Sequence, residues 1–201
     1  MRTPSLRLLR VQSTSSVLRN LAVAVVVLSV MTWSAPSVLA YGRHHPSGHI
    51  VSAPDDPTIV AIFDAANTWD IETGGMAVKK GQTKDVRDFG AMLVHDHTVV
   101  RQQGRDLAKK LGVHPTPPKN FPLAADHLAA MKKLRSLKGA AFDKAFLENE
   151  VAYHKAVIDA LNGSLIPAIQ NADLKALVVK IVPAFQAHMV KAQSMLDAMK
   201  K

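Results

Sequence analysis

An apolar stripe that advances by four and three residues constrains this 201-residue chain more than any other feature. Between positions 86 and 111 it consists of Val86, Gly90, Leu93, His97, Val100, Gly104, Leu107 and Leu111. This spacing is typical of a helix that is buried along one face. One member of the stripe, His97, is polar, and a polar ring on a core face needs a partner.

The same periodicity predicts four long helices, at about 58–80, 84–111, 141–162 and 173–200, and a shorter helix at 123–137. Asp56 followed by Pro57 is the predicted start of the first helix, and Thr83 the cap of the second. Glycines are the predicted stops, at Gly81, Gly112, Gly139 and Gly163. Strand signals are nearly absent, so we expect an all-α four-helix bundle over 57–201, with short additional helices in its connections. Pro183 is expected to kink the last helix.

The first 40 residues have the pattern of an export signal. A basic region without acids is followed by an apolar stretch from 21 to 33, which is shorter than the roughly 20 residues of a membrane span. Val38-Leu39-Ala40 offers small residues for cleavage after Ala40. Because cysteine is absent, we expect a bacterial periplasmic or envelope protein rather than a disulfide-stapled secreted domain. An uncleaved anchor is the alternative; after cleavage no membrane span remains.

Residues 41–56 are rich in Gly, Pro, Ser and His, and are predicted to be a flexible linker. This linker contains three histidines, so weak metal binding by it stays open; they are His44, His45 and His49. Of the formal charge of +9, four positive charges belong to Arg2, Arg7, Arg10 and Arg19, which leaves +5 for the remainder. The lysines are scattered and aromatics are few, so nucleic-acid binding is not expected. Peripheral envelope association and an oligomer stay open.

Each long helix carries one ionisable side chain on its apolar stripe. These residues are Glu72, His97, His154 and His188, and each lies 13 to 15 residues into its helix. Similar depths predict one layer near the middle of the bundle. Glu150, one turn before His154, is predicted to join this layer, whereas Asp96 points away and is expected to support a ligand or face solvent. His95, His114 and His127 are off the stripes and are expected to be exposed.

Imidazoles and carboxylates converging from separate helices are the ligands with which bundles bind iron, zinc, manganese or copper. The sequence therefore predicts a metal site at His97, His154, His188, Glu72 and Glu150. The alternative is a metal-free hydrogen-bond network that fixes helix register. A ferritin-type di-iron centre is not expected, because no glutamate stands three residues before any of these histidines. Covalent haem attachment would need a Cys-x-x-Cys-His motif, and no nucleophile–base pair indicates an enzyme.

The segment from 77 to 98 resembles a family of exported bacterial proteins of unknown function, described as predicted outer membrane proteins with a ferritin-like domain. The resemblance rests on the pattern Val86, Phe89, Met92, Asp96, His97 and Thr98. Further matches are the segment 107–115, Phe142-Asp143, His154, Pro183 and His188. His95 departs from the commoner pattern, in which an acid stands at this position.

The resemblance implies a ferritin-like fold but no established activity. Association of some members with envelope or stress responses favours metal handling or stress protection. Two functions stay open: an envelope metal-binding bundle without catalytic residues, and a structural or interaction module whose core histidines bind no metal.

Overall fold

Five helices occupy the residues that the computed structural model describes, 53–119 and 121–200. They are α1 (Asp56–Lys80), α2 (Lys84–Leu111), α3 (Pro122–Ser136), α4 (Gly139–Ala160) and α5 (Ala172–Ala198). A π-helical turn (Leu161–Leu165) and a short turn (Ile166–Ala168) connect α4 to α5. No strand occurs in these two ranges, and the predicted all-α class is confirmed.

Two of the predicted helix boundaries around α2 are confirmed. The Thr83 side chain accepts a hydrogen bond from the Val86 amide, and Gly112 ends the helix in the left-handed conformation at φ 66°. The left-handed conformation costs glycine little energy, because glycine has no Cβ to clash with the following carbonyl. The turn before α2 is held to α4 by the buried carboxylate of Asp143, which accepts hydrogen bonds from the amides of Gln82 and Thr83.

Three other boundaries differ from the prediction. Asp55, and not Asp56, caps α1, since its carboxylate accepts a hydrogen bond from the Thr58 amide at 2.9 Å. Gly139 is the first residue of α4 instead of the stop of α3. Gly163 lies inside the π-helical turn and does not end the helix before it. α5 runs through Pro183 without a break.

The four long helices form two antiparallel hairpins, α1 with α2 and α4 with α5. α1 also packs against α4, and α2 against α5, which closes the square of a four-helix bundle. The C-terminal end of α2 and the N-terminal end of α4 lie at opposite ends of the bundle, and α3 returns along α1 between them. One long crossover of this kind is the connectivity of ferritin-like bundles.

The core consists of two apolar clusters, one toward each end of the bundle. One contains Ile59, Val157, Leu174 and Phe185, and the other contains Phe89, Leu93, Phe142, Phe146 and Leu147. Polar side chains that are as deeply buried lie between these clusters. The bundle therefore has a polar layer near its middle, as the shared depth of the histidines predicted.

α1 and α2 approach each other closely at Gly74 and Gly90. A Cβ added to Gly90 would lie 2.7 Å from the Ala77 Cβ and 2.7 Å from the Gly74 carbonyl oxygen. Only the hydrogen atom of a glycine, and no Cβ, fits between the two helices at this crossing. The close approach lies one to two turns from the polar layer on both helices, and it brings the polar residues of α1 into contact with those of α2.

None of the helices in the described residues is long and apolar enough to cross a membrane. The predicted export signal at 1–40 and most of the predicted linker at 41–56 lie outside the described residues.

Candidate metal centre

Three histidines from three helices meet in the middle of the bundle. His97 on α2, His154 on α4 and His188 on α5 are 0%, 1% and 4% exposed. Their ring centroids are separated by 5.6 Å (His97 to His154), 5.1 Å (His97 to His188) and 5.4 Å (His154 to His188). One nitrogen from each ring lies within 4.8 Å of the other two. The sequence stripes of these helices therefore bring the three rings into one cluster.

Each ring is anchored through one of its nitrogens to an acceptor. The pairs are His97 Nδ1 with Asn67 Oδ1 at 2.9 Å, His154 Nδ1 with the Glu150 carbonyl oxygen at 2.9 Å, and His188 Nε2 with Asp96 Oδ2 at 3.0 Å. An acceptor at one nitrogen places the proton there and leaves a lone pair on the opposite nitrogen. The Asn67 amide is fixed in this orientation, because its Nδ2 donates a hydrogen bond to the Phe63 carbonyl oxygen at 2.8 Å.

The opposite nitrogens have no hydrogen-bond partner among the residues that the structure describes. They are His97 Nε2, His154 Nε2 and His188 Nδ1. Buried nitrogens without a partner are rare, because each costs the free energy of its lost hydration. Three of them in one cluster are what a site for a metal ion would present.

Burial keeps two of the rings neutral. It lowers the pKa of His97 to about 2, with a further contribution from the charges that His154 and His188 would carry. Burial also lowers the pKa of His154 to about 4, opposed by its hydrogen bond to the Glu150 backbone. A neutral imidazole is the form that binds a metal ion. Protons therefore do not compete with a metal ion at neutral pH at these two rings.

Two buried carboxyl groups lie beside the histidines. Asp70 on α1 and Glu150 on α4 are 3% and 0% exposed, and together with His154 they form a second group of ligand atoms within 4.8 Å of one another. While both groups are ionised, Asp70 Oδ1 and Glu150 Oε2 have no hydrogen-bond donor in the described part of the chain. When one of them is protonated, the two side chains hydrogen-bond to each other. Burial raises the pKa of Glu150 to about 7. Burial, followed by the charge of Glu150, raises the pKa of Asp70 well above its ordinary range.

Glu72 is not part of this cluster, and its predicted place in the core is wrong. Its side chain is 49% exposed, and its Oε2 lies 2.8 Å from Nε2 of His127 on α3. The core face of α1 instead follows Ile59, Phe63, Ala66, Asp70, Thr73 and Ala77. This stripe also advances by four and three residues, so α1 has two such faces, and Glu72 lies on the one that α3 covers.

His127 was expected to be exposed, and this is also wrong, because it is 7% exposed. Its ring stacks on Trp69 with the centroids 5.2 Å apart, and Phe121 stacks on Trp69 at 5.3 Å. These contacts attach α3 and the segment before it to α1. His95 and His114 are exposed as predicted.

Sequence reasoning missed Asp70 and Asn67, both on the core face of α1. The signal that would have found them is the pair of small residues Gly74 and Ala77, which marks the face on which α2 packs. Asp70 and Asn67 lie one and two turns before this pair on the same face. Asp96 supports His188, as one of its two predicted roles, although its side chain is 39% exposed.

Tyr153 borders the two carboxyl groups from α4. Its hydroxyl donates a hydrogen bond to the Ala66 carbonyl oxygen at 3.0 Å. Burial raises the pKa of Tyr153 well above its ordinary value, and the charges of Asp70 and Glu150 add to the effect. The phenol therefore remains protonated and fastens α4 to α1 next to the cluster.

The fold and the site together define a helical bundle with buried histidines and carboxyls at its middle, a set of groups that can hold a metal ion. The chain belongs to the family described as "Domain of unknown function (DUF4142)", whose sequence profile matches residues 45–195. The prediction of a family of unknown function is confirmed at this level.

A solved structure shares the fold. It is described as "Crystal structure of DUF305 fragment from Deinococcus radiodurans", and it has a TM-score of 0.62 and 14% sequence identity. The similarity covers 71% of this chain and 95% of the fragment. At this identity it concerns the fold alone. No curated protein matches the chain significantly.

Proposed function

We propose that this protein is an exported helical bundle that binds a transition-metal ion at His97, His154 and His188, with Glu150 and Asp70 beside them. One observation carries the proposal: three buried rings from three helices each bring one nitrogen within 4.8 Å of the other two, and each ring has one anchored nitrogen and one without a partner. Metal-binding histidines in proteins are held in this way, by a carboxylate, carbonyl or amide that fixes the tautomer and the ring orientation.

The ligand set restricts the metal to a few ions. Neutral imidazoles suit zinc, copper and iron, and the adjacent carboxyls extend the set to manganese. The absence of cysteine excludes thiolate ligands, which favour Cu(I) and iron–sulfur clusters.

A metal-free network that only fixes helix register is the alternative function. Such a network would use hydrogen bonds between the buried groups. Three ring nitrogens of the cluster, His97 Nε2, His154 Nε2 and His188 Nδ1, have no partner among the described residues, and this favours the metal ion.

The export pattern at 1–40 supports a location in the periplasm or cell envelope of a bacterium. The resemblance to predicted outer membrane proteins with a ferritin-like domain supports peripheral association with the envelope. In that compartment the bundle serves metal handling or stress protection, without a catalytic role. Its partner is the ion itself, and neither nucleic acid nor a substrate is required.

Elemental analysis of untagged protein, purified without chelator, tests this function. We expect at least one transition-metal ion per chain, and a loss of that metal in the double variant His97→Ala, His154→Ala. The matched control is His95→Ala, His114→Ala, which removes two exposed histidines and should leave the metal content unchanged. Circular dichroism establishes that both variants are helical.

Far less than one ion per wild-type chain, both as purified and after loading, would contradict the proposal. The same would follow if the His97→Ala, His154→Ala variant were folded and retained the wild-type metal content.

A further inference from the structure

Asp70 and Glu150 form a second group of ligands that the three histidines do not require. We infer that these two carboxylates hold a second divalent cation next to the first, so that the centre takes two ions per chain. The inference rests on the proposed function and extends it from one ion to a pair.

The spacing of the ligand atoms separates the two positions. His97, His154 and His188 form one group within 4.8 Å, Asp70, Glu150 and His154 form another, and the five residues do not form a single group at that spacing. A metal ion lies about 2.0–2.2 Å from each nitrogen or oxygen ligand, so it joins atoms no more than about 4.4 Å apart. One ion therefore does not reach all five side chains in this arrangement.

The unpartnered atoms support the same division. An ion among the histidines leaves Asp70 and Glu150 joined only by a shared proton, although both side chains are almost completely buried. An ion between the carboxylates alone leaves His97 Nε2 and His188 Nδ1 without one. Two ions give every one of the five unpartnered atoms a ligand bond.

The chemistry of the second position differs from that of the first. Its charged oxygens favour a harder cation than the histidine group does, and Mn²⁺, Fe²⁺ and Zn²⁺ accept both oxygen and nitrogen ligands. When both carboxyls ionise on binding, their two negative charges compensate one divalent cation. Repulsion between two adjacent cations weakens the second binding step, so the two affinities differ.

Equilibrium dialysis against Zn²⁺ tests the stoichiometry, with metal and protein measured in the same sample. The full chain carries alanine at His44, His45 and His49, which removes the histidines of the predicted linker. We expect saturation at two ions per chain in two steps. The variant Asp70→Asn, Glu150→Gln should saturate at one ion, because it keeps the shape of both side chains and removes their charge. The matched control Glu72→Gln should still bind two.

Mn²⁺ gives a readout that does not depend on a variant. Two Mn²⁺ ions in adjacent positions interact magnetically, and the electron paramagnetic resonance spectrum then loses the resolved hyperfine pattern of an isolated ion. We expect that pattern after the first equivalent and its loss after the second.

The outcomes separate the two proposals. Saturation of the wild type at one ion overturns the pair and leaves the proposed function standing, whereas no binding at all overturns both. Two ions in the folded Asp70→Asn, Glu150→Gln variant also overturn the pair, because the second ion is then held elsewhere. An isolated-ion spectrum at two equivalents has the same meaning.

Discussion

Two histidine–glutamate pairs of this molecule have the same chemistry and opposite environments. His127 and Glu72 join α3 to α1 at the surface, with Nε2 and Oε2 2.8 Å apart and the carboxylate side chain 49% exposed. His154 and Glu150 lie one turn apart on α4, with Nδ1 and Oε2 3.5 Å apart and both side chains at most 1% exposed.

The difference lies in what each pair leaves without a partner. In the surface pair, His127 Nε2 and Glu72 Oε2 are hydrogen-bond partners of each other, and solvent reaches the carboxylate. The core pair leaves His154 Nε2 and Glu150 Oε2 unpartnered, and both belong to groups in which other helices contribute ligand atoms. A histidine beside a carboxylate is therefore a candidate metal ligand only where unused lone pairs from several elements converge.

The largest expected effect concerns the carboxyl of the core pair in metal-free protein. Burial raises the pKa of Glu150 from 4.5 to about 7, so the folded protein keeps a proton that the unfolded chain has released. This contribution to stability is present below pH 4.5 and is lost as the pH rises through 7. We expect Glu150→Gln to match the wild type at pH 4 and to exceed its free energy of unfolding by about 3 kcal/mol at pH 8.

Urea denaturation at the two pH values, in the presence of a chelator, measures this difference. The histidines contribute with the opposite sign, because their lowered pKa values cost stability below pH 6.5. That contribution is common to both proteins and cancels in the comparison. A pH-independent difference between Glu150→Gln and the wild type would show that the carboxyl is not perturbed by burial.

Metal binding should raise the stability of the protein through the core pair, and the surface pair should not affect this gain. At a free metal concentration of 100 times Kd, the wild type should gain about 2.7 kcal/mol, or roughly 8 °C in Tm. His127→Asn should show the same metal-dependent shift from its own baseline, and His154→Asn should show none. Thermal melts with Zn²⁺ and with chelator measure the shift. An equal shift in both variants would show that the metal ion binds outside the core cluster.

A smaller effect is expected where the core cluster reaches the surface. Asp96 accepts the hydrogen bond of His188 Nε2, although 39% of its side chain is exposed. Asp96→Asn keeps an acceptor but loses the charge, so we expect metal affinity to fall by about 10- to 100-fold with little change in metal-free stability. The control is Asp88→Asn, an exposed acid on the same helix that pairs with Lys84. Competition with a chromophoric chelator measures both affinities.

The helix periodicity was sufficient to predict the bundle and the meeting of His97, His154 and His188. α2, α4 and α5 each have one apolar stripe, which leaves a single choice for the buried face. The capping residues Thr83 and Gly112 are local signals and were read correctly. Gly139 was misread because a glycine with positive φ, here 61°, also begins a helix when the preceding turn requires it.

α1 could not be assigned correctly from its own sequence. It is covered on one face by α2 and α4 and on another by α3, so Trp69 and Glu72 follow the same periodicity as the core residues. Which of two apolar faces meets the bundle depends on where a distant segment packs, and this information is not local. The tautomers of His97 and His188 are equally non-local, because Asn67 and Asp96 set them from other helices. The tautomer of His154 is local, because its acceptor is the Glu150 carbonyl one turn before it on the same helix.

The smallest effect is expected for the surface pair itself. Glu72→Gln removes the charge facing His127 and keeps an acceptor in place, at a side chain that is half exposed. Partly exposed ion pairs contribute little, since solvent screens them, so we expect the free energy of unfolding to change by less than about 0.5 kcal/mol. Bound metal should be unchanged. If Glu72→Gln instead lowered metal content as much as Glu150→Gln, the surface and core pairs would be coupled, and α1 would turn its Glu72 face toward the histidines in the metal-bound protein.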